Sequence, residues 1–211
     1  MSESEGPPIG YPLRLVHPTL PPAGRLWGAG RPAYPDEPPK GDAVEVGARE
    51  WRASGVDLVV SLIEDWEVPR RAPGLFEALA RQGIDLRRFP VPDFGAPADS
   101  RAFAGFLDEV RLRLAAGGGV LVHCNAGLGR TAVALGSLLR HHGFEGDAVL
   151  EVRRLYRPGA MQDPRQETFV RAFPVAVWPA GPGAGQARGP ASGAGLARTA
   201  ASPDREVPRG R

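Results

Sequence analysis

From Val120 to Thr131 the chain reads Val-Leu-Val-His-Cys-Asn-Ala-Gly-Leu-Gly-Arg-Thr. The branched apolar run before the cysteine is typical of a buried strand, and the apolar residues that follow the arginine suggest a helix. A glycine-containing loop between a strand and a helix is an anion-binding arrangement, because backbone N–H groups converge at the helix N-terminus, where the helix dipole adds positive potential. Gly127 and Gly129 permit backbone conformations that a side chain would obstruct. This stretch therefore predicts a phosphate-binding loop.

Two side chains indicate that this loop carries out chemistry as well as binding an anion. Cys124 stands at its start, where the helix dipole and a nearby guanidinium are expected to keep the sulfur ionised at neutral pH. Arg130 lies six positions further on and carries a planar fork of donors that matches two phosphate oxygens. A lysine would lack this geometry. The loop is therefore predicted to bring a nucleophile and a charge clamp to the same phosphate.

The central part of the chain alternates strand-like and helix-like segments. Short apolar or branched runs predict strands at 57–63, 84–89 and 119–123. Apolar residues at helical spacing predict helices over 100–116, from about 130 to Gly143, from Ala148 to a stop at Pro158-Gly159, and over 163–173, the last begun by Asp163-Pro164. Such an alternation predicts an α/β fold in which helices pack on a sheet.

Composition divides the 211 residues into three parts. Residues 1–24 are Pro-rich and are predicted to be an irregular segment. Residues 25–178 form the predicted folded domain. Residues 179–211 consist mainly of Gly, Ala, Pro, Ser and Arg, and are predicted to be a disordered tail because they offer too little apolar surface to offset the entropy of ordering.

Charge and hydropathy argue against some classes of partner. The chain has 26 basic and 24 acidic residues, and five of the former and two of the latter follow residue 178, so the rest is near neutral and no nucleic-acid-binding stripe is expected. The sequence has no run of eighteen apolar residues, so no membrane span is expected. Its N-terminus lacks the features of a secretory signal, and we expect a cytoplasmic protein.

The single cysteine limits the chemistry further. One cysteine cannot form an intramolecular disulfide or a multi-thiolate metal site. The pair His141-His142 precedes Gly143 at a predicted helix end, where cationic groups complement the carbonyl ends of the helix. Neither a metal nor any other cofactor is therefore expected.

The segment from His123 to Thr131 matches His-Cys-x5-Arg-Ser/Thr, and so resembles the signature of the protein tyrosine phosphatase superfamily. Within this superfamily, the residues from His123 to Thr131 are similar to those of the small atypical dual-specificity phosphatases. Two further matches follow the same order: Phe89-Pro-Val-Pro-Asp-Phe-Gly-Ala-Pro97, and Arg154-Leu-Tyr-Arg-Pro-Gly-Ala160 with Gln166-Glu-Thr-Phe-Val170. The resemblance covers roughly residues 50–175. It implies a central mixed sheet of four to five strands flanked by helices, with a strand, phosphate loop and helix at the active site.

The resemblance also implies roles for individual residues. Cys124 would attack phosphorus, and Asp93 would protonate the leaving oxygen and later take a proton from water. The phosphate would be held by Arg130 and by the loop amides of Asn125, Ala126, Gly127, Leu128, Gly129 and Arg130. Thr131 would donate its hydroxyl to the Cys124 sulfur. His123 would orient the loop from beneath, and Gln166 would position the hydrolytic water.

Two rivals to Asp93 remain among nearby acids. Asp99 fits a helix N-cap, and Asp65 lies in an acidic loop after a predicted strand. Asp93 itself could be a turn residue between Pro92 and Gly95.

The expected substrate is a phosphorylated protein or peptide. The phosphate loop contains no lysine to hold a second phosphate, which favours phosphotyrosine, with phosphoserine and phosphothreonine as further candidates. The short Pro-rich stretch over 25–50 offers no long segment to deepen the cleft, so a shallow pocket accepting several phosphoamino acids is expected. Alternatives are a phosphatase of small metabolites or phosphoinositides, a non-catalytic phospho-binding module, or a sulfur transferase or arsenate reductase. The sequence leaves the oligomeric state open.

Overall fold

The computed structural model describes residues 14–15 and 24–175. The predicted tail at 179–211 and most of the predicted N-terminal segment lie outside these residues. Within the described part, five strands and seven helices follow one another along the chain. They are β1 (Arg14–Leu15), β2 (Arg25–Ala29), α1 (Ala43–Ala53), β3 (Leu58–Ser61), α2 (Val68–Arg71), α3 (Leu75–Arg81), β4 (Asp85–Arg88), α4 (Ser100–Ala115), β5 (Gly119–His123), α5 (Arg130–His141), α6 (Ala148–Leu155) and α7 (Pro164–Ala172).

The strands form one mixed sheet in the order β1-β2-β5-β3-β4. β2, β5, β3 and β4 run parallel to one another, and β1 pairs antiparallel with β2. The predicted α/β fold with a mixed sheet of four to five strands is therefore confirmed. Every residue of β3 and of β5 is buried, as expected of central parallel strands covered on both faces.

The three predicted strands are present as β3, β4 and β5. β2 and the two-residue β1 were not predicted, and β1 lies in a segment that was expected to be irregular. The sequence of β2, Arg-Leu-Trp-Gly-Ala, contains Arg25 and Gly28 and gives little strand signal. It becomes a strand because it pairs with β5 over its full length, from Arg25 opposite Gly119 to Ala29 opposite His123.

Two predicted helix starts are confirmed at their capping residues, whereas α6 ends at Leu155, before the predicted stop at Pro158-Gly159. Asp99 accepts hydrogen bonds from the amides of Arg101 and Ala102 at the start of α4, and Asp163 accepts one from Arg165 at the start of α7. Eleven of the twelve residues of α5 are buried, because this helix packs against β2, β5, α4, α6 and α7. α5 is thus the central helix of the domain, and its N-terminus is fixed by its surroundings.

The parallel strands bring separate parts of the chain to one edge of the sheet. β5 ends at His123, opposite Ala29 of β2 on one side and Ser61 of β3 on the other. Residues that follow these three strands must therefore be neighbours. A ligand site is expected at this edge, since α/β folds bind ligands outside the carboxyl ends of parallel strands.

Candidate active site

The loop between β5 and α5 closes tightly against the end of β2. Gly127 has φ +74°, and a Cβ on it would lie 2.5 Å from the backbone nitrogen of Gly30. A side chain at this position would therefore clash with a neighbouring strand end as well as strain the backbone. The amide of Arg31 donates to the carbonyl of Asn125 at 2.9 Å, which ties the two segments together.

A cavity of about 140 Å³ opens above this loop. Its lining residues are Tyr34, Asp93, Phe94, Cys124, Asn125, Ala126, Leu128, Gly129, Arg130 and Gln162. The structure thus brings Cys124, Arg130 and Asp93 together with much of the loop, although Asp93 and Arg130 are 37 positions apart in sequence. These three residues were predicted to be the nucleophile, the phosphate-binding group and the general acid. Cys124 is 3% exposed, and its Sγ accepts a hydrogen bond from the amide of Gly127 at 3.3 Å. The sulfur therefore lies at a small cavity and accepts a hydrogen bond from a backbone donor.

Arg130 is fixed by a buried carboxylate that the sequence analysis did not identify. Its Nη1 and Nη2 donate to the two oxygens of Glu67 at 2.5 and 3.0 Å, and Nη1 also donates to the carbonyl of Val91 at 3.1 Å. Glu67 is fully buried, just before α2. Burial alone would raise its pKa, but hydrogen bonds from Arg130 and the amide of Glu64 outweigh this and hold the pKa below its usual range.

A topological signal for Glu67 was available in the sequence. An acidic run containing Glu64, Asp65 and Glu67 follows β3, and β3 is the neighbour of β5. A carboxylate in that run could have been expected near Arg130 once the strand order was known. The strand order itself is not readable from the spacing of apolar residues.

Asp93 lies at the mouth of the cavity between two guanidinium groups. Its Oδ1 is 2.9 Å from Nη2 of Arg130, and its Oδ2 accepts a hydrogen bond from Nη1 of Arg71 at 3.0 Å. The two rivals lie elsewhere: Asp65 is exposed and pairs with Arg88, and Asp99 caps α4. Of these three acids, Asp93 alone lines the cavity.

His123 lies beneath the loop and is fully buried. Its Nδ1 donates to the carbonyl of Cys124 at 3.0 Å, and its ring packs 5.7 Å from the ring of Trp51. Burial lowers the pKa of His123 to about 4. The side chain is therefore neutral at physiological pH and supports the loop backbone without carrying a charge.

Thr131 does not make the contact that the resemblance implied. Its Oγ1 donates to the carbonyl oxygen of Ala29 at 3.3 Å, so the hydroxyl is directed to the end of β2 and not to the Cys124 sulfur. The sulfur is instead served by the Gly127 amide. The predicted role of Thr131 is corrected to one of joining the start of α5 to the sheet.

Gln166 is fully buried and lies behind the loop, outside the cavity lining. Its Oε1 accepts from the amide of Gln162 at 3.1 Å, and its Nε2 donates to the carbonyl of Gly95 at 3.0 Å. A Cβ on Gly129 would come within 2.8 Å of its amide. Gln166 therefore braces the segments that carry Gln162 and Asp93, and Gln162, which the sequence analysis did not single out, is the glutamine that faces the cavity.

Two aromatic side chains form the walls of the cavity. Tyr34 comes from the Pro-rich stretch over 25–50, which was expected to leave the pocket shallow. Arg31 shapes this stretch: it is 1% exposed, donates to Asn125 Oδ1 at 2.8 Å and to the carbonyl of Asp36 at 2.7 Å, and lies 5.7 Å from the Tyr34 ring. A short segment folded around a buried arginine therefore contributes a side chain to the cavity lining, and the expected shallowness of the pocket stays a prediction.

Phe94, the second aromatic residue of the cavity lining, has an unusual backbone conformation. Its φ is +57° and its side chain is 56% exposed. The amide of Gly95 donates to the carbonyl of Pro92 at 2.8 Å, which closes a tight turn with Phe94 at the position that glycine usually fills. Strain of about 1–3 kcal/mol at such a position is typical of functional sites. The turn presents the phenyl ring at the cavity mouth, beside Asp93.

Other kinds of site are not evident in residues 14–15 and 24–175. In these residues, no cluster of three or more His, Cys, Asp or Glu side chains could hold a metal ion. Over the same part of the chain, no helix has the length and apolar character needed to cross a bilayer.

Comparisons with known proteins agree with this geometry. The family model described as "Tc-R-P: Polymorphic toxin system, DSP-PTPase phosphatase" matches residues 35–144. Cyclin-dependent kinase inhibitor 3 of Sus scrofa is 26% identical over 134 residues, which are 62% of this chain and 63% of that protein. The chain thus spans less than two thirds of the length of this curated relative.

Solved structures share the fold. The crystal structure of Tk-PTP in the active form is 26% identical, has a TM-score of 0.58, and is matched over 76% of this chain and 95% of that chain. Kinase associated phosphatase with its catalytic-site cysteine replaced by serine is 22% identical, with a TM-score of 0.67, over 80% of this chain and 96% of that chain.

Three observations agree on the family of this chain. The family model spans half of the chain, the solved structures share a protein tyrosine phosphatase fold, and the loop from Cys124 to Arg130 lines a small cavity. The chain belongs to the DSP-PTPase phosphatase family, and so to the dual-specificity members of the protein tyrosine phosphatase superfamily.

Proposed function

We propose that this phosphatase hydrolyses phosphotyrosine in proteins, and accepts phosphoserine and phosphothreonine less well. The observation that carries the proposal is the cavity lining: two aromatic walls, Tyr34 and Phe94, rise from a floor whose one basic residue is Arg130. A phosphorylated aromatic ring would place its phosphate on the floor and its ring between the walls. A phosphoinositide with several phosphates would need further cations, and the lining residues provide none.

In the first chemical step, the Cys124 sulfur attacks phosphorus in line with the leaving oxygen. A sulfur–phosphorus bond forms while the phosphorus–oxygen bond to the tyrosine breaks, and Asp93 gives its proton to the departing oxygen. The guanidinium of Arg130, held in place by Glu67, binds the charge that spreads over the non-bridging oxygens.

In the second step, water attacks the cysteinyl-phosphate and the thiolate leaves. Asp93 takes the proton from water, and the Gly127 amide, 3.3 Å from the sulfur, stabilises the departing thiolate. Gln162 lines the cavity and is the side chain that we assign to the positioning of this water. Gln166 acts indirectly, since it accepts from the Gln162 amide.

The Asp93→Asn variant tests whether Asp93 is the general acid, because the loss of kcat should then depend on the leaving group. Loss of a general acid costs about 10²- to 10⁴-fold in kcat when the leaving oxygen needs a proton. Phenyl phosphate should therefore lose rate in this range, whereas dinitrophenyl phosphate, whose leaving group departs as an anion, should lose far less. Steady-state kinetics with both esters makes the measurement, and Asp65→Asn serves as the control because Asp65 is exposed and outside the cavity. Equal losses on both esters would assign the proton to another group.

The substrate class is tested with a panel of phosphopeptides, phosphoinositides and small phosphate esters. We expect the highest kcat/KM for a phosphotyrosine peptide. Replacing both Tyr34 and Phe94 by alanine should reduce that value about 5-fold or more, since each aromatic contact contributes about 0.5–1.5 kcal/mol, while a phosphoserine peptide changes by less than about threefold. Leu112→Ala is the control, because Leu112 is an exposed apolar residue outside the cavity lining. A preference for phosphoinositides or metabolites would overturn the proposal.

A further inference from the structure

Four charged side chains form a closed ring beside the cavity. Arg130 pairs with Glu67, Glu67 pairs with Arg71, Arg71 pairs with Asp93, and Asp93 returns to Arg130. The ring contains two guanidinium groups and two carboxylates, so its formal charges cancel. One of its four edges, between Asp93 and Arg130, lies where a phosphate must bind.

The donors of Arg130 are nearly all in use before a substrate arrives. Nη1 serves Glu67 and Val91, and Nη2 serves Glu67 while Asp93 Oδ1 lies 2.9 Å from it. A phosphate that is gripped by two nitrogens of one guanidinium needs Nε and Nη2. An incoming phosphate therefore competes with the Asp93 carboxylate for Nη2, and two anions cannot both occupy that place.

The two contacts of Asp93 are not equivalent. The Arg71 N–H is directed at Oδ2, which makes a true hydrogen bond of 3.0 Å, whereas the approach of Oδ1 to Arg130 is an ion pair without an aligned N–H. The contact to Arg130 is thus the one that a phosphate can break. Asp93 would then remain attached through Oδ2 alone.

Arg71 is well anchored for this task. It lies at the end of α2, pairs with Glu67, approaches Glu37 with Nε 3.5 Å from the carboxylate, and packs 5.4 Å from the ring of Trp66. Its side chain is 18% exposed. Burial lowers the pKa of Arg71, but hydrogen bonds from its guanidinium to Asp93 and Glu67 outweigh burial and raise the pKa overall. Its contacts with Glu37 and Trp66 lie outside the ring of four charges and do not involve Asp93 or Arg130.

We propose that Arg71 is a positioning residue that keeps Asp93 at the cavity mouth when phosphate displaces it from Arg130. Oδ1, released from Arg130, takes a proton from solvent as the phosphate binds and passes it to the leaving oxygen. Oδ2 continues to accept from Arg71, because a protonated carboxyl retains an acceptor oxygen. The acid is therefore held by one guanidinium while the other holds the substrate.

The inference rests on the phosphatase chemistry proposed above, and the two can fail separately. Failure of the proposed chemistry would leave the wild-type chain inactive on every phosphate ester. Failure of the inference would leave an active wild-type chain in which replacement of Arg71 does not act through Asp93.

The experiment compares Arg71→Met with Arg70→Met, its neighbour on the same short helix. Arg70 is 69% exposed in its side chain and pairs only with Glu37 in the described residues, so it controls for loss of a positive charge near the site. For Arg71→Met we expect kcat on phenyl phosphate to fall about 10- to 30-fold, below the ~10²- to 10⁴-fold range of losing the acid itself. On dinitrophenyl phosphate, and in the Ki of inorganic phosphate, the change should stay within about threefold. Arg70→Met should resemble the wild type, and Arg71→Lys should recover part of the phenyl phosphate rate.

A double variant separates positioning from a general structural role. If Arg71 acts through Asp93, adding Arg71→Met to Asp93→Asn should change kcat on phenyl phosphate by less than about twofold, because residues that act as a unit are not additive. Losses that multiply, or equal losses on both esters, would overturn the proposal. Thermal melting checks that each variant folds. If Arg71→Met does not fold, Arg71→Gln, which keeps a donor for Glu67 but no charge, is scored in the same way.

Discussion

Replacement of Cys124 by serine is expected to abolish turnover while the protein still binds its substrate. The neutral hydroxyl of serine is a far weaker nucleophile than a thiolate, and kcat should fall by about 10⁴-fold or more. Binding should persist because Arg130, Glu67 and the loop amides are untouched. The fold should persist as well, since serine is no larger than cysteine and can accept from the Gly127 amide in the same way.

The measurement combines hydrolysis of para-nitrophenyl phosphate with calorimetric binding of a phosphotyrosine peptide. Ser137→Ala is the matched control, because it removes a buried side-chain oxygen from α5 without altering the cavity lining. This control should retain activity close to that of the wild type. Turnover by Cys124→Ser at a rate near that of the wild type would remove Cys124 from the role of nucleophile.

Replacement of Glu67 by glutamine is expected to cost both stability and activity. Glu67 is a buried carboxylate between Arg130 and Arg71, and removal of one partner from a buried ion pair typically costs about 3–5 kcal/mol. For a domain of this size, each kcal/mol corresponds to about 2–4 °C in Tm. Arg130, freed from its fork of carboxylate oxygens, should also lose its orientation toward the phosphate, so kcat should fall together with Tm.

The same carboxylate predicts a dependence of stability on pH. The folded-state pKa of Glu67 lies below its ordinary value of 4.5. Its contribution to stability is therefore present above pH 4.5 and is lost as the pH falls below that value. Urea denaturation from pH 7 down to pH 3 should show a steeper loss for the wild type than for Glu67→Gln, with Asp65→Asn as a control that follows the wild type. Parallel curves for all three proteins would contradict this account of Glu67.

The spacing of nearby residues was sufficient to predict the phosphate loop and the starts of α4 and α7. A nucleophile, two glycines and an arginine within seven residues, placed after a buried strand, need no distant partner to be interpreted as an anion site. The caps Asp99 and Asp163 were equally readable, because a capping side chain bonds to amides two or three positions away. β2 escaped prediction because its strand character comes from pairing with β5 and not from its own residues.

The contacts of a side chain could not be predicted from local spacing where its partner comes from a distant part of the chain. A hydroxyl such as that of Thr131 bonds to whichever acceptor the fold brings near, and the end of β2 brings the carbonyl of Ala29. Gln162, just before α7, and Gln166, within α7, are four positions apart, and only the packing behind Gly129 decides which of them faces the cavity. Tyr34 enters the cavity wall because a stretch of prolines folds around the buried Arg31.

By itself, the sequence determined the α/β fold and the phosphate loop from Cys124 to Arg130, because each rests on residues close together in the chain. The candidate acid at Asp93 came from the family resemblance of residues 89–97. Tertiary structure alone decided which carboxylate fixes Arg130 and which guanidinium holds Asp93. Glu67 lies 63 positions from Arg130, and Arg71 lies 22 positions from Asp93. These charged side chains lie close together because the sheet places β3 next to β5. A buried charge needs an ion-pair partner, and the strand order decides which partners are within reach.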